Sequence, residues 1–413
     1  MQPNTLKKLF LALVIFVIAA CGRIAPTATP NVATTSVSPP VASTAPVPAE
    51  FQSLYTELDS ALNAFDQSFD ASGNYPVTFA AELLPANGNR GAALLEPQTL
   101  AGVRVNLDAL QKMGVQGVTI AIKYPMLTSD FPNSAQYLEF FKSVAAEVRK
   151  RNMKMDVEVG VIFPPPFSSL NMNYKGLTLD QYKAKNRQMV TTIINEIKPD
   201  YLNLGSEPDT EAAITGIREL NNPQGYTDLI NYTLKDLDRG NTKIGAGLGT
   251  WASLDFVKSE AAYTSLDFIS LHVYPVTGKA LQTAVQAADI AHQFNKRVIM
   301  DEMWLYKTSA NEPPASIAAN SDIFRRDAYS FWIPLDQKFL ATMAKLARAK
   351  NIEYVSAFWA TNFFGYLNYD SKLQTLPYND LVTQLNTEAS RNILAGKLSQ
   401  TGEYYKQLSR GPR

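Results

Sequence analysis

From about residue 77 onward, short apolar runs alternate with longer stretches whose apolar residues recur every three or four positions. The short runs cover residues 77–81, 117–123, 154–163, 201–205, 243–248, 267–273, 297–301 and 354–359. Most are β-branched and apolar, as expected of parallel strands covered on both faces. Between them, residues 134–152 place Tyr137, Phe140, Phe141, Val144 and Val148 at helical spacing. Residues 182–198 do the same with Met189, Ile193, Ile194 and Ile197, and Asp180 suits the N-terminal end of that helix.

Eight strands with intervening helices predict an α/β protein, a (β/α)8 barrel forming one domain over residues 51–413. A doubly wound open sheet would give a similar alternation, so the number of strands alone does not decide. Spacing favours the barrel. Glu207 and Glu302, three units apart, are separated by about 95 residues, roughly 32 per unit, against roughly 31 for a barrel of about 250 residues. The stretch 303–334 reads as an irregular, aromatic-bearing insertion after the seventh strand, and the first strand is the least marked.

Upstream the pattern changes twice. Lys7 and Lys8 precede an apolar stretch, 9–20, that is too short to span a bilayer comfortably, so residues 1–20 read as an export signal. It ends in Ile18-Ala19-Ala20-Cys21, which resembles the lipobox of bacterial lipoproteins. That resemblance implies that Cys21 is lipidated, becomes the first mature residue, and anchors an extracytoplasmic chain to a membrane. An ordinary signal peptide with Cys21 incidental is the alternative. Residues 22–50, rich in Pro, Thr, Ser, Ala and Val, read as an extended tether. Cys21 is the only cysteine, so no internal disulfide can form and the core must hold the fold. Lys and Arg number 38 against 38 Asp and Glu, with no basic run, which gives a nucleic-acid partner no electrostatic support.

The candidate chemistry lies at two strand ends. YLNLGSEPDT breaks at Glu207-Pro208, and RVIMDEMW carries Glu302 at its end. Barrel strands deliver their C-terminal ends to one cavity. There one carboxyl, partly desolvated, can protonate a leaving group, while a second about 5–5.5 Å away attacks the anomeric carbon.

With these motifs the chain resembles glycoside hydrolase clan A, the retaining glycosidases with glutamates after strands four and seven. The resemblance implies Glu207 as acid/base and Glu302 as nucleophile. FISLHVYP matches the clan's sixth strand, implying that His272 lies at the site and that Tyr274 hydrogen-bonds the nucleophile. VSAFWA matches its eighth strand and implies Trp359 at the floor of the sugar site, and GKLSQTGEYYKQL resembles the last barrel helix. The resemblance covers most of residues 77–410. One position departs from the pattern. The clan commonly places asparagine before the acid/base, where it binds the sugar 2-hydroxyl; here it is Ser206, which reaches less far.

Other positions carry weaker expectations. Strand alternation is expected to turn Asp301 away from the cavity, and Asp209 reads as the start of the next helix. Trp304 and Trp359 are candidate sugar platforms, and Trp332 is either a lid or loop packing. Lys123 is either a binding residue or a solvated strand tip, and His292 a surface or packing residue. Phe163-Pro164-Pro165-Pro166-Phe167 reads as a stiff cleft wall suited to an open groove and an oligosaccharide. One cysteine and two distant histidines offer no metal-ligand spacing, so no metal or cofactor is expected. The chain is expected to act as a monomer on a carbohydrate. The main alternative is a barrel with weakened catalysis that serves as a carbohydrate-binding surface lipoprotein. A Schiff-base or phosphate-binding barrel would need more than Lys123 and a Gly-rich loop that the chain lacks.

Overall fold

A computed structural model describes residues 45–69, 73–274, 278–309, 311–312 and 321–410. Cys21, the 1–20 leader and the tether as far as residue 44 lie outside the described residues. Eight parallel strands close into a barrel in chain order. They are β1 (Thr78–Glu82), β2 (Gly117–Tyr124), β3 (Lys154–Val161), β4 (Tyr201–Asn203), β5 (Lys243–Gly249), β6 (Phe268–Val273), β7 (Arg297–Met303) and β8 (Ile352–Ala357). Pairing of β1 with β8, Thr78 opposite Tyr354, joins the edges and removes the open-sheet alternative. Each strand lies where an apolar run predicted it.

The residues facing the barrel interior can be followed two at a time along the strands. At the N-terminal end Ala80, Tyr201, Phe268, Ile299 and Tyr354 form a buried cluster of their own. Its rings meet edge to face or tilted, with Tyr201 5.8 Å from Phe268 and 5.4 Å from Tyr354. This apolar plug closes the barrel floor. Two residues further along the same strands the interior becomes polar, with Asn203, Ser270, Asp301 and Ser356 all buried. A further step up β2, β3 and β6 brings Lys123, Glu158 and His272 to the mouth. The change from apolar floor to charged mouth therefore runs along single strands.

Helices cover the outside. Ser134–Lys150 buries Tyr137, Phe141, Val144 and Val148, the face its spacing predicted. Leu179–Thr192 starts from a capping box in which Thr178 and Gln181 exchange hydrogen bonds, with Asp180 in the first turn. Ahead of β1, the helix Gln52–Asp66 buries Leu58, Leu62 and Phe65. Trp332 is fully buried and stacks on Tyr55 at 5.7 Å, so of its two readings packing is the one observed. Val47 and Phe51 pack on the same core, which brings the last residues of the 22–50 tether onto the domain. His292 bonds the Lys350 carbonyl at 2.8 Å and is a packing residue.

Candidate active site

Glu207 is aimed by a tight turn after β4. Gly205 has φ 142°, in the region that favours glycine, and a Cβ there would overlap the Tyr226 hydroxyl and the Glu211 carboxylate. Glu207 is the N-cap of the helix Pro208–Thr215, and Pro208 fits the first helical position because its missing N–H has no partner to lose. Glu211, one turn on, fixes that helix by accepting hydrogen bonds from Tyr182 (2.9 Å) and Tyr226 (3.3 Å). Burial pushes the Glu211 carboxyl up to about 8. Asp209 lies in the first helical turn, as expected, and also accepts from the Trp251 indole at 2.9 Å.

Glu302 reaches the cavity by an irregularity in β7. Ile299 belongs to the barrel floor, so regular alternation brings Asp301 inward. The register then shifts between Met300 and Met303 on the β8 side and between Ser270 and His272 on the β6 side, leaving Glu302 opposite His272. Two consecutive carboxylates therefore face the interior, and the expectation that Asp301 points away is corrected. Asp301 is buried beneath Glu302 and accepts from Ser270 and from Asn203. Asn203 also donates to Ser206 at 2.7 Å. The Ser206 hydroxyl, 1% exposed, is thereby held inside the polar layer rather than at the cavity surface.

Between the two glutamates stands His272. Its Nδ1 is 2.9 Å from Glu207 Oε1 and 3.3 Å from Glu302 Oε2. Sharing one nitrogen, those oxygens can be no farther apart than the sum of the contacts, roughly 6 Å, which includes the retaining separation of about 5–5.5 Å. Tyr274 donates to Glu302 Oε2 at 2.7 Å, and its ring stacks on Tyr306 at 4.3 Å. Glu207 is the more open of the pair, with 20% of its side chain exposed against 10% for Glu302.

A third carboxylate stands beside them that the sequence reading passed over. Glu158 accepts from Lys123 Nζ at 3.1 Å, and both are buried. Lys123 is thus part of the site, and its reading as a solvated tip is corrected. A signal for Glu158 was present, because Asp156 and Glu158 alternate with Met155, Val157 and Val159 in an otherwise apolar strand. Burial works against charge on Glu158, but Lys123 and His272 outweigh it and hold the carboxyl below its usual range. Burial drives Glu302 the other way, well up, helped by Glu158 and Glu207 and opposed by His272. Burial also disfavours the His272 cation, yet Glu302, Asp301 and Glu207 around it prevail and raise its pKa well above the ordinary value. Glu158, His272 and Glu302 each bring an N or O atom within 4.8 Å of the others. Lys123 Nζ already sits on Glu158 at 3.1 Å and Tyr274 on Glu302 at 2.7 Å, so these three groups are paired within the protein.

Aromatic side chains rise from this base. Trp359, half-buried, lies 5.9 Å from Phe324 and 5.3 Å from Phe358, and its indole N–H has no partner among the described residues. Trp304 is not brought to the cavity. It is 1% exposed, its indole N–H bonds Asp327 at 3.2 Å, and Lys307 Nζ sits 5.5 Å from its ring, so the expected sugar platform is corrected to a packing residue. Phe163 lies under Lys123, with 5.5 Å from Nζ to its ring. Phe167 meets Phe324 at 5.5 Å and Tyr378 at 5.9 Å, linking the segment after β3 to those after β7 and β8.

No protein-family model matches the chain, and no curated protein matches it in sequence. Solved structures do match in fold. Exo-β-1,4-mannosidase Op5Man5 from Opitutaceae bacterium strain TAV5 is similar at 15% identity and a TM-score of 0.50 over 83% of this chain, which spans 62% of the length of that protein. A GH5_18 structure from Bifidobacterium longum subsp. longum in complex with Manβ1-4GlcNAc is similar at 13% identity and a TM-score of 0.53, covering 81% of this chain and 78% of that one. A further structure of GH5_18 from the same organism gives the same identity and TM-score over 82% and 79%. The chain has the (β/α)8 fold of these GH5 glycoside hydrolases.

Proposed function

We propose that the chain is a retaining glycoside hydrolase that cleaves O-glycosidic bonds of an oligo- or polysaccharide by double displacement. The observation that carries this reading is the pair Glu207 and Glu302, held at strand ends on either side of one His272 nitrogen. Glu207, the more exposed, protonates the leaving oxygen and later takes a proton from water. Glu302, oriented by Tyr274 and His272, attacks the anomeric carbon and is displaced in the second step. Trp359 offers a ring face to the sugar, and Lys123 faces the cavity as a polar contact. No cofactor enters this chemistry. The full chain and its Glu207→Gln and Glu302→Gln variants, assayed on aryl β-glycosides, Manβ1-4GlcNAc and plant and microbial polysaccharides, test the reading. Turnover that collapses in both variants, with the product keeping the anomeric configuration of the substrate by NMR, supports it. Inversion refutes the double displacement.

One observation favours the non-catalytic alternative, a carbohydrate-binding surface lipoprotein. Ser206 is buried and accepts a hydrogen bond from Asn203 in the layer below, which disfavours contact with a sugar. Glycan binding without turnover that survives both glutamine substitutions would establish it. For the N-terminus we propose lipidation at Cys21 and attachment to a membrane on its extracytoplasmic side. Incorporation of labelled fatty acid that disappears in Cys21→Ser tests this.

A further inference from the structure

Lys123 and Glu158 break no bond in the scheme above, yet they occupy the same cage as the groups that do. Glu158 Oε1 takes the Lys123 ammonium at 3.1 Å, while Glu158 Oε2 is buried with no donor among the described residues. Glu158, Glu302 and His272 each bring one oxygen or nitrogen within 4.8 Å of the others, and both carboxylates are buried. Two buried carboxylates this close repel each other's charge, so the ionisation of one is coupled to that of the other.

The groups facing Glu302 decide where a proton on the pair rests. They are Lys123 from β2, Glu158 from β3, Glu207 after β4, His272 and Tyr274 from β6, and Tyr306 after β7, with Asp301 and Asp156 deeper in the barrel. Lys123 touches Glu158 directly, so charge is favoured on Glu158 and the proton on Glu302. The fit is close by construction of the strand. A Cβ on Gly160 would come within 3.0 Å of Lys123 Nζ, so glycine keeps the space that lets the lysine meet Glu158.

We propose that Glu158, countered by Lys123, is a positioning residue that shares one proton with Glu302, so that Glu302 attacks only after the pair has released that proton to solvent. This rests on Glu302 being the nucleophile of the proposed glycosidase. It implies an enzyme that is quiet in acid and gains activity as pH rises through the titration of the pair.

The test follows Glu302 in two ways in the full chain. Carbon-13 NMR of protein labelled at glutamate carboxyls reports its titration, with the resonance assigned by its loss in Glu302→Gln. The acid limb of kcat/KM against pH reports the same group through catalysis. In the wild type the Glu302 resonance titrates well above the ordinary glutamate value of about 4.3. In Glu158→Gln, which keeps the side-chain shape, resonance and acid limb both move down by about one pH unit or more. The double variant Lys123→Met/Glu158→Gln falls between the two, because the lysine charge no longer opposes the proton. A Glu302 resonance that stays put in Glu158→Gln, in an active enzyme, overturns the shared proton and leaves the glycosidase reading intact. A shifted resonance in a chain that cleaves no glycoside upholds the shared proton and overturns the nucleophile assignment.

Discussion

Replacing Tyr274 with phenylalanine isolates one hydrogen bond at the proposed nucleophile. The hydroxyl donates to Glu302 Oε2 at 2.7 Å, and the ring is held by stacking on Tyr306 and an edge contact with Phe358, so the substitution removes the donor without moving the ring. A hydrogen bond to a charged group contributes about 1.5–3 kcal/mol. His272 Nδ1 remains 3.3 Å from the same oxygen and can compensate in part, so the lower end of that range, about 1.5 kcal/mol, is expected. The bond stabilises the ionised carboxylate, so its loss raises the pKa of Glu302 by about one unit. The acid limb of kcat/KM therefore moves to higher pH. Below that limb the variant is about tenfold slower, and above it the two profiles converge. The direction is opposite to that expected for Glu158→Gln, where a negative charge rather than a donor is removed. Steady-state kinetics on an aryl glycoside at half-unit pH intervals measure both limbs. A loss of the same factor at every pH would refute the reasoning, because it would mean that Tyr274 orients Glu302 without favouring its charge.

Three further expectations concern how the fold supports the site. Glu211 is buried with its carboxyl raised to about 8, so between the unfolded value of about 4.5 and 8 the folded state keeps a proton that the unfolded state loses. Its contribution is fully present below pH 4.5 and is lost as pH rises, by on the order of 4–5 kcal/mol in all; Glu211→Gln should flatten the fall in urea-unfolding stability from pH 5 to 8. Lys307 is fully buried between Asp327 and Asp336, so Lys307→Met should strand two acids and cost about 3–5 kcal/mol in denaturant unfolding at pH 7. Gly205→Ala should cost about 2 kcal/mol or more through left-handed strain and overlap with Tyr226 and Glu211, and should lower kcat more than KM by displacing Glu207.

The barrel was legible because most of its strands are buried runs rich in apolar residues, and eight such runs separated by amphipathic stretches leave few alternatives. The strand ends carrying Glu207, His272, Tyr274 and Glu302 were legible for the same reason, since a polar residue that closes a buried run stands out. Residues whose placement depends on exact register were not. Asp301 was misplaced because alternation was counted back from Glu302, whereas β7 keeps its alternation through Asp301 and breaks it at Glu302. Trp304 follows that break, and a one-residue shift decides whether a side chain enters the cavity or the packing behind it. Lys123 could not be resolved without its partner, because Glu158 lies on the next strand and sequence does not show which residues pair across a barrel.

The interior of the mouth concentrates acid to a degree that the neutral overall charge conceals. Glu158, Glu207, Asp301 and Glu302 surround one lysine and one histidine, with Asp156 below them. So many charges cannot all persist in a buried volume, and the structure resolves the excess by level. Asp156, whose oxygens have no hydrogen-bond partner among the described residues, has its carboxyl pushed well up by burial, Asp301 and Glu158, which favours its neutral form. Asp301 is bonded by Asn203 and Ser270 and lies 3.5 Å from His272 Nε2, which favours the imidazolium that bridges the two upper glutamates. Glu158 is matched by Lys123. Glu207 alone keeps appreciable access to solvent. In the proposed reaction a sugar entering the mouth displaces water from Glu207 and Glu302 first, because the other acids lie deeper and are buried. On the proposed reading substrate binding acts on the two groups whose charge the chemistry must change, and the acids beneath favour the His272 cation between them.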